Sequence, residues 1–378
     1  MNKILLCFGT RPEAIKMATL AHELKKNALF EIKICVTAQH REMLDQVLDF
    51  FEIKPDYDLD LMKSNQSLNQ LSARILANFD LVLNDFKPDL VLVHGDTTTS
   101  TMCAIAAFNI NMKVGHVEAG LRTFNKNSPF PEEMNRTITG RIADFHFAPT
   151  TNAAQNLINE KVIPNTIVTT GNTVIDSLFW TVNKLDQDYS NEAIEQLKKT
   201  IDFNKKTILI TAHRRENFGD GFIAICEAIK QLAEENSDVN FVFPVHLNPN
   251  VQGPVYSILD KTNNVFLIAP LDYPSFVWAM KKSFIILTDS GGVQEEAPSL
   301  GIPVLVLRDT TERPEAVDAG TVKLVGTNKS KIISEVTKLL SDAQYYKTMA
   351  SAHNPYGDGT ANIKIIKYLK SKVTINKS

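Results

Sequence analysis

Short, continuously apolar runs separated by helix-length segments recur along this 378-residue chain in two successive rounds, and that rhythm limits what it can fold into. In the first round, residues 4–8, 32–37, 90–94, 114–118 and 145–148 read as strands. Segments 13–26, 42–51, 68–85, 100–109 and 153–159 between them read as helices. Strands alternating with helices predict a parallel sheet covered on both faces. The runs are apolar throughout, as expected of strands buried on both sides. The pattern restarts with strand-like runs at 208–211, 241–244, 265–269, 285–288 and 304–307, with helices such as 222–235 and 293–300 between them. A chain this long exceeds what one hydrophobic core usually serves. The expectation is therefore α/β: two doubly wound, Rossmann-like domains facing a cleft. Residues 1–171 form the first and 172–359 the second, with the hinge at Gly171 and Asn172, where GNTVIDSL opens a helix. A polar helical stretch at 191–205 lies between the halves. A helix at 360–370, within the last segment 360–378, is expected to pack back onto the first domain.

Charge and cysteine usage narrow the function. The 40 Lys and Arg against 43 Asp and Glu leave a net charge of −3, which argues against nucleic acid or an anionic membrane surface as the main partner. No run of about 18 apolar residues is present to span a bilayer. MNKILLCFG reads as a first buried strand and not as a secretory leader. Cys7, Cys35, Cys103 and Cys226 are scattered without metal-ligand spacing, so reduced, buried thiols in a cytoplasmic protein are expected, with no metal.

The chemistry-bearing residues gather where strands end, the edge at which open α/β sheets bind ligands. GTRPEAIK at 9–16 follows the first strand. Pro12 can start the next helix, with Arg11 and Lys16 beside its N-terminal amides as an anion pocket. In HGDTTTS at 94–100, Asp96 lies at a strand end, and Thr97, Thr98 and Thr99 can cap the helix that follows. Glu118 terminates the next strand, and Glu132 and Glu133 follow on a Pro-rich loop. Clustered carboxylates raise one another's pKa and can share acid and base duties near neutral pH. Arg122 and Arg136 can balance them, either in a site or in a structural ion-pair network.

In the second half, TAHRRENFG places His213, Arg214 and Arg215 after a strand, suited to phosphate binding or proton transfer. LTDSGGVQEEAPSLG sets Ser290, Gly291 and Gly292 before a helix carrying Glu295 and Glu296. The glycines let a diphosphate approach, and a carboxylate one turn on suits ribose hydroxyls. The segment matches neither GxGxxG nor the P-loop pattern. Arg308 and Arg313 follow the next strand. Phe276, expected just before a helix, can stack on a base or fill the core.

Together GTRPEAIKMA, TAQHREMLDQVL, HGDTTTS, VGHVEAGLRT, PFPEEMNR, TAHRRENFG, PVHLNPNV, LTDSGGVQEEAPSLG and RDTTERPEAVDAGT resemble the bacterial non-hydrolysing UDP-N-acetylglucosamine 2-epimerases over nearly the whole chain. The resemblance implies a fold like the B-type glycosyltransferases, UDP held by the second domain, a homodimer and no cofactor. It implies reversible inversion at C2 through elimination of UDP to a 2-acetamidoglucal and its re-addition, in the service of bacterial surface polysaccharide synthesis. It places Asp96, Glu118, Glu132 and His213 in catalysis, without saying which carboxylate is the base. Arg11, Lys16, Arg136, Ser290, Gly291, Gly292, Glu296 and Arg313 fall on substrate and UDP positions, and Phe276 where the uracil packs. Gln39, Glu132, Arg214 and His246 match a site at which a second UDP-N-acetylglucosamine acts as activator. There the chain departs from the pattern, with Asn65 where the family carries arginine. Alternatives are a 2-epimerase of a UDP-2,3-diacetamido-glucuronic acid, a hydrolysing 2-epimerase, a glycosyltransferase of the same architecture and a sugar-nucleotide sensor.

Overall fold

The computed structural model describes residues 2–38, 41–63 and 65–373. It is α/β, with two separate parallel sheets, each flanked by helices. The chain divides into unit 1, Met1–Trp180 together with Tyr356–Ser378, and unit 2, Thr181–Pro355.

Unit 1 holds strands β1 (Asn2–Phe8), β2 (Phe30–Val36), β3 (Tyr57–Asp58), β4 (Leu90–His94), β5 (Lys113–Val117), β6 (Phe145–Ala148) and β7 (Ile167–Thr169). They pair in the order β3-β2-β1-β4-β5-β6-β7, all parallel. Cys7 of β1 lies opposite Cys35 in β2 and Val93 in β4, so two of the thiols sit mid-sheet. Helix Leu68–Phe86 supplies Ile75, Phe79 and Leu83 to one face. Helix Thr98–Asn109 brings Cys103, Ala104 and Ala107, whose small side chains let it approach closely. All four cysteines are free and buried.

The anticipated strand and helix segments are present, with three short strands besides: β3, β7 and, in unit 2, β13. Glu132 and Glu133 are not on a loop. They open helix Glu132–Ile142, where the amides of Glu133 and Asn135 bond back to the carbonyls of Pro129 and Pro131 (both 3.1 Å). Carboxylates in a first helical turn are favoured by the exposed amides there.

A helix does open after Gly171 and Asn172, as Thr173–Asp186, but the change of unit falls within it, between Trp180 and Thr181. Its first two turns belong to unit 1 because Ser177 Oγ donates to the Ile15 carbonyl (2.6 Å). Asp176 accepts from the amides of Ala361 and Asn362 (3.2 and 3.0 Å), and thereby caps helix Ala361–Val373. Asn362 donates to Thr19 Oγ1 (2.9 Å), and the Tyr368 ring meets Phe145 and Phe147 edge-on.

Unit 2 holds β8 (Thr207–Thr211), β9 (Asn240–Pro244), β10 (Val265–Ile268), β11 (Ile285–Thr288), β12 (Val304–Val306) and β13 (Val322–Leu324), in the order β10-β9-β8-β11-β12-β13, also parallel. Ile208, Ile210, Phe241 and Phe243 pack against Phe222, Ile229 and Leu232 of helix Asp220–Glu235. The polar stretch at 191–205 is helical only over Glu192–Thr200, capped by Asn191, whose side chain accepts from the Ile194 amide (2.9 Å). Phe276 is inside a helix and not before it. Asp272 caps Tyr273–Lys281 by accepting from the Ser275 amide (3.0 Å), and Pro274 fits the first turn. Among the described residues no helix is long and apolar enough to cross a membrane.

Candidate active site

In unit 1 the strand order reverses between β1 and β4, the switch point at which an open sheet leaves room beyond its carboxyl edge. The segments after β1, β4 and β5 meet there. After β1, Thr10 caps helix Arg11–Lys25, and buried Glu13 reaches back to the amides of Gly9 and Thr10 (2.9 and 2.8 Å). Thr97 donates its hydroxyl to the other Glu13 oxygen (2.6 Å), tying the β1 and β4 loops together. Burial raises the Glu13 pKa against these hydrogen bonds. The amides of Gly9 and Thr10, just before the helix, are thus engaged within the loop.

Lys16, one turn into that helix, forms an ion pair with Glu118. Glu118 follows β5 directly, with φ at +63°, a backbone region that a glutamate rarely adopts. Its Oε2 also accepts from Asn172 Nδ2 (2.8 Å) and lies 3.7 Å from His94 Nε2. Asp96, in the β4 loop, is paired with Arg136, and its carbonyl accepts from Asn135 Nδ2 (2.9 Å). Of the capping hydroxyls anticipated, Thr97 performs the task, accepting from the Ser100 amide (3.1 Å). His116 in β5 holds the same loop through its Nε2 and the Gly95 carbonyl (2.7 Å). Burial drives the pKa of His94 to about 4 and of His116 to about 3, so both are neutral at pH 7.

The carboxylates expected to cluster divide into distinct roles. Glu133 is buried and accepts from the amides of Thr123 (3.0 Å) and Phe124 (2.8 Å), shaping the loop before its helix. It also lies 3.3 Å from Arg136. Glu132 is half-buried, and its side chain makes no hydrogen bond or ion pair among the described residues. Arg122 turns away and grips Glu160 with two nitrogens (2.6 and 2.9 Å), a structural pair. Lys16 with Glu118, and Arg136 with Asp96 and Glu133, are therefore charge pairs at this sheet edge.

Unit 2 repeats the arrangement with different chemistry. Its order reverses between β8 and β11. Asp289, fully buried after β11, accepts from the backbone amides of His213 and Arg214 (both 2.7 Å) and from Asn217 Nδ2 (3.3 Å). Its other oxygen lies 3.6 Å from His213 Nδ1. The His213 ring stacks on His246 at 5.2 Å, and burial lowers its pKa against the opposing pull of Asp289. Ser290, Gly291 and Gly292 follow, and a Cβ on Gly291 would lie 3.5 Å from the Arg313 guanidinium carbon. Arg313 is fixed there by Glu295 (2.5 Å). Glu296 accepts from the Tyr273 hydroxyl (2.9 Å). Arg308 is held by Glu216 (2.5 Å). Arg214 and Phe276 are half-buried, while Arg215 and His246 are exposed. Gln39 lies outside the described residues.

Unit 1 thus presents carboxylates paired with cations, an arrangement suited to proton transfer. Unit 2 presents a histidine and a guanidinium beside two glycines, a chemistry for anions. Four residues of the arrangement escaped the sequence reading: Glu13, His94, Asn172 and Asp289. Asp289 ends a strand as Asp96 does, and the same rule would have found it. Asp289→Ala removes the acceptor of two part-buried amides and is expected to cost unit 2 about 1–3 kcal/mol. Denaturant unfolding followed by far-UV circular dichroism measures this, and an unchanged midpoint would remove Asp289 as the support of the His213 loop.

Comparison with known proteins shows what the whole chain is similar to. The family model described as UDP-N-acetylglucosamine 2-epimerase matches residues 22–370. A UDP-N-acetylglucosamine 2-epimerase of Salmonella typhimurium is 56% identical over 370 residues, covering 98% of each chain. Among solved structures, the UDP-GlcNAc 2-epimerase of Neisseria meningitidis bound to UDP-GlcNAc superposes with a TM-score of 0.90 at 53% identity, over 98% of this chain and all of that one. The S. aureus MnaA–UDP co-structure gives 0.87 at 47%, over 99% and 97%.

Proposed function

Since the chain belongs to the UDP-N-acetylglucosamine 2-epimerase family of isomerases, we propose that it interconverts UDP-N-acetylglucosamine and UDP-N-acetylmannosamine without net hydrolysis. C2 of the sugar has no neighbouring carbonyl to acidify its proton. The way round this is elimination: a carboxylate takes the C2 proton, the C–H electron pair becomes the C1–C2 double bond, and the C1–O pair leaves with UDP. UDP then adds back to the 2-acetamidoglucal while a proton reaches the opposite face of C2.

The observation that carries this reading is Glu118. Its carboxylate is largely withdrawn from water, paired with Lys16 and aimed by Asn172. Asp96, kept beside Arg136, and Glu132 are the further proton-transfer groups. His213, on the loop that Asp289 holds, serves the phosphate or the leaving oxygen. Ser290, Gly291, Gly292 and Arg313 take the diphosphate, Glu296 the ribose and Phe276 the uracil. Arg11, Lys16 and Arg136 complete the substrate contacts. The protein acts as a cytoplasmic homodimer that feeds surface polysaccharide synthesis. A second UDP-N-acetylglucosamine at Gln39, Glu132, Arg214 and His246 activates it, and Asn65, standing where close relatives carry arginine, bears on the strength of that activation.

Proton NMR of UDP-N-acetylglucosamine with the protein in deuterium oxide tests the reading. UDP-N-acetylmannosamine carrying deuterium at C2, with little free sugar, is the expected result. Free N-acetylmannosamine in step with UDP would make the protein a hydrolysing epimerase instead, and unaltered substrate would end the proposal.

A further inference from the structure

His94 closes β4 at 3% exposure, yet neither of its ring nitrogens has a hydrogen-bond partner among the described residues. Buried polar groups are nearly always paired, and an unpaired one bears the full cost of losing water. Its Nε2 lies 3.7 Å from Glu118 Oε2, just beyond hydrogen-bond reach. The charged or titratable groups facing it are Glu118 from the segment after β5, Lys16 from helix Arg11–Lys25 and His116 from β5. Burial keeps the ring neutral at pH 7, so it can offer Glu118 an N–H without a second positive charge. At present Glu118 Oε2 is occupied by Lys16 and Asn172. Asn172 is fixed, its own amide bonded to the Tyr356 carbonyl (2.7 Å). Lys16 is the long, flexible partner of the two.

We propose that His94 is a positioning residue for Glu118. When Lys16 turns to the diphosphate of a bound nucleotide sugar, the Nε2–H of His94 closes onto Glu118 Oε2 and, with Asn172, keeps the carboxylate in place. This rests on the reading of Glu118 as a base and Lys16 as a phosphate ligand. The exchange replaces a cation by a neutral donor, which leaves the carboxylate anchored but less stabilised as an anion. It is then the stronger base when the C2 proton must be taken.

The test uses the full chain, native and as H94Q and H94L. Gln presents an amide N–H near the place of Nε2–H, and Leu presents none. With UDP-N-acetylglucosamine, H94L is expected to lose roughly 10- to 100-fold in kcat, the worth of a hydrogen bond to a charged group. KM should stay within about threefold, because the lost contact is not to substrate. A carboxylate without that donor protonates more easily, so the acid limb of the kcat profile moves to higher pH. H94Q should recover most of the rate. Native turnover in H94L, or equal losses in the two variants, would overturn the proposal. A large rise in KM would overturn it too, by making His94 a substrate contact.

Independently of turnover, the 15N resonance of His94 in the native chain should report a neutral Nε2–H ring that shifts on saturation with UDP. A ring protonated at Nδ1, or one indifferent to UDP, would also overturn it. A native chain that shows the shift but converts no substrate would leave the exchange of partners standing and end the epimerase reading.

Discussion

Glu118→Gln lowers the rate of UDP-N-acetylglucosamine epimerisation by about 10²- to 10⁴-fold, the range that a positioned general base contributes. UDP binding, followed by calorimetry, stays within about threefold of native, since a proton-transfer group adds little to ground-state affinity. Gln preserves the shape of the side chain and an oxygen for Asn172, but it cannot hold a proton between the two half-reactions. It also leaves Lys16 without its anionic partner. Deuterium uptake at C2 falls in parallel with net conversion, because both begin with the same removal of the proton. A variant that still exchanges C2 deuterium at the native rate would move the base to another residue, with Asp96 and Glu132 the next to replace.

Gly120→Ala has the largest expected effect on stability. Gly120 has φ at +92°, and a Cβ there would lie 2.1 Å from the Ala153 carbonyl oxygen and 3.0 Å from Leu157 Cδ1. The obstacle is main chain of helix Thr151–Asn159, which is also fastened to this loop by Asn156 Nδ2 on the Gly120 carbonyl (3.0 Å). Neither side can give way without undocking the helix from the loop that follows Glu118. The expected cost is ~4 kcal/mol or more, among the exceptional single substitutions. For a unit of this size that lowers the melting temperature by roughly 8–16 °C. Gly219→Ala serves as the control, because its φ of +84° is equally unfavourable but nothing stands within 4 Å. It should cost about 1–3 kcal/mol, the backbone strain alone. Equal losses in calorimetric scans of the two variants would sink the steric argument.

Much of this was legible in the sequence because buried parallel strands write themselves as unbroken apolar runs, and ligand-binding residues sit where such runs stop. Asp96, Glu118, His213 and Ser290 all follow strands for that reason. The strands that were missed are β3, β7 and β13. They have two or three residues and lie at or near a sheet edge, too short to leave a pattern. Pairings were less readable than positions. Arg122 stands four residues from Glu118, yet its partner is Glu160, 38 residues on. Glu13 resembles any first-turn glutamate, and its grip on the β4 loop depends on Thr97, 84 residues away. Glu132 and Glu133 look alike in sequence, but one helical step buries the second among loop amides and leaves the first half-exposed.

Unit 2 is one uninterrupted stretch of chain, whereas unit 1 is closed by residues that follow it. The order of synthesis therefore bears on when the carboxylate site becomes complete. A ribosome has made all of β1 to β13 before it delivers Tyr356, whose carbonyl receives the amide of Asn172. Asn172 is the residue that aims Glu118. The amides that Asp176 caps, on Ala361 and Asn362, come later still. A nascent chain thus carries both sheets while Glu118 still lacks the final brace. The arrangement is thus completed backwards along the chain: Tyr356 braces, through Asn172, a glutamate encoded some 240 codons earlier.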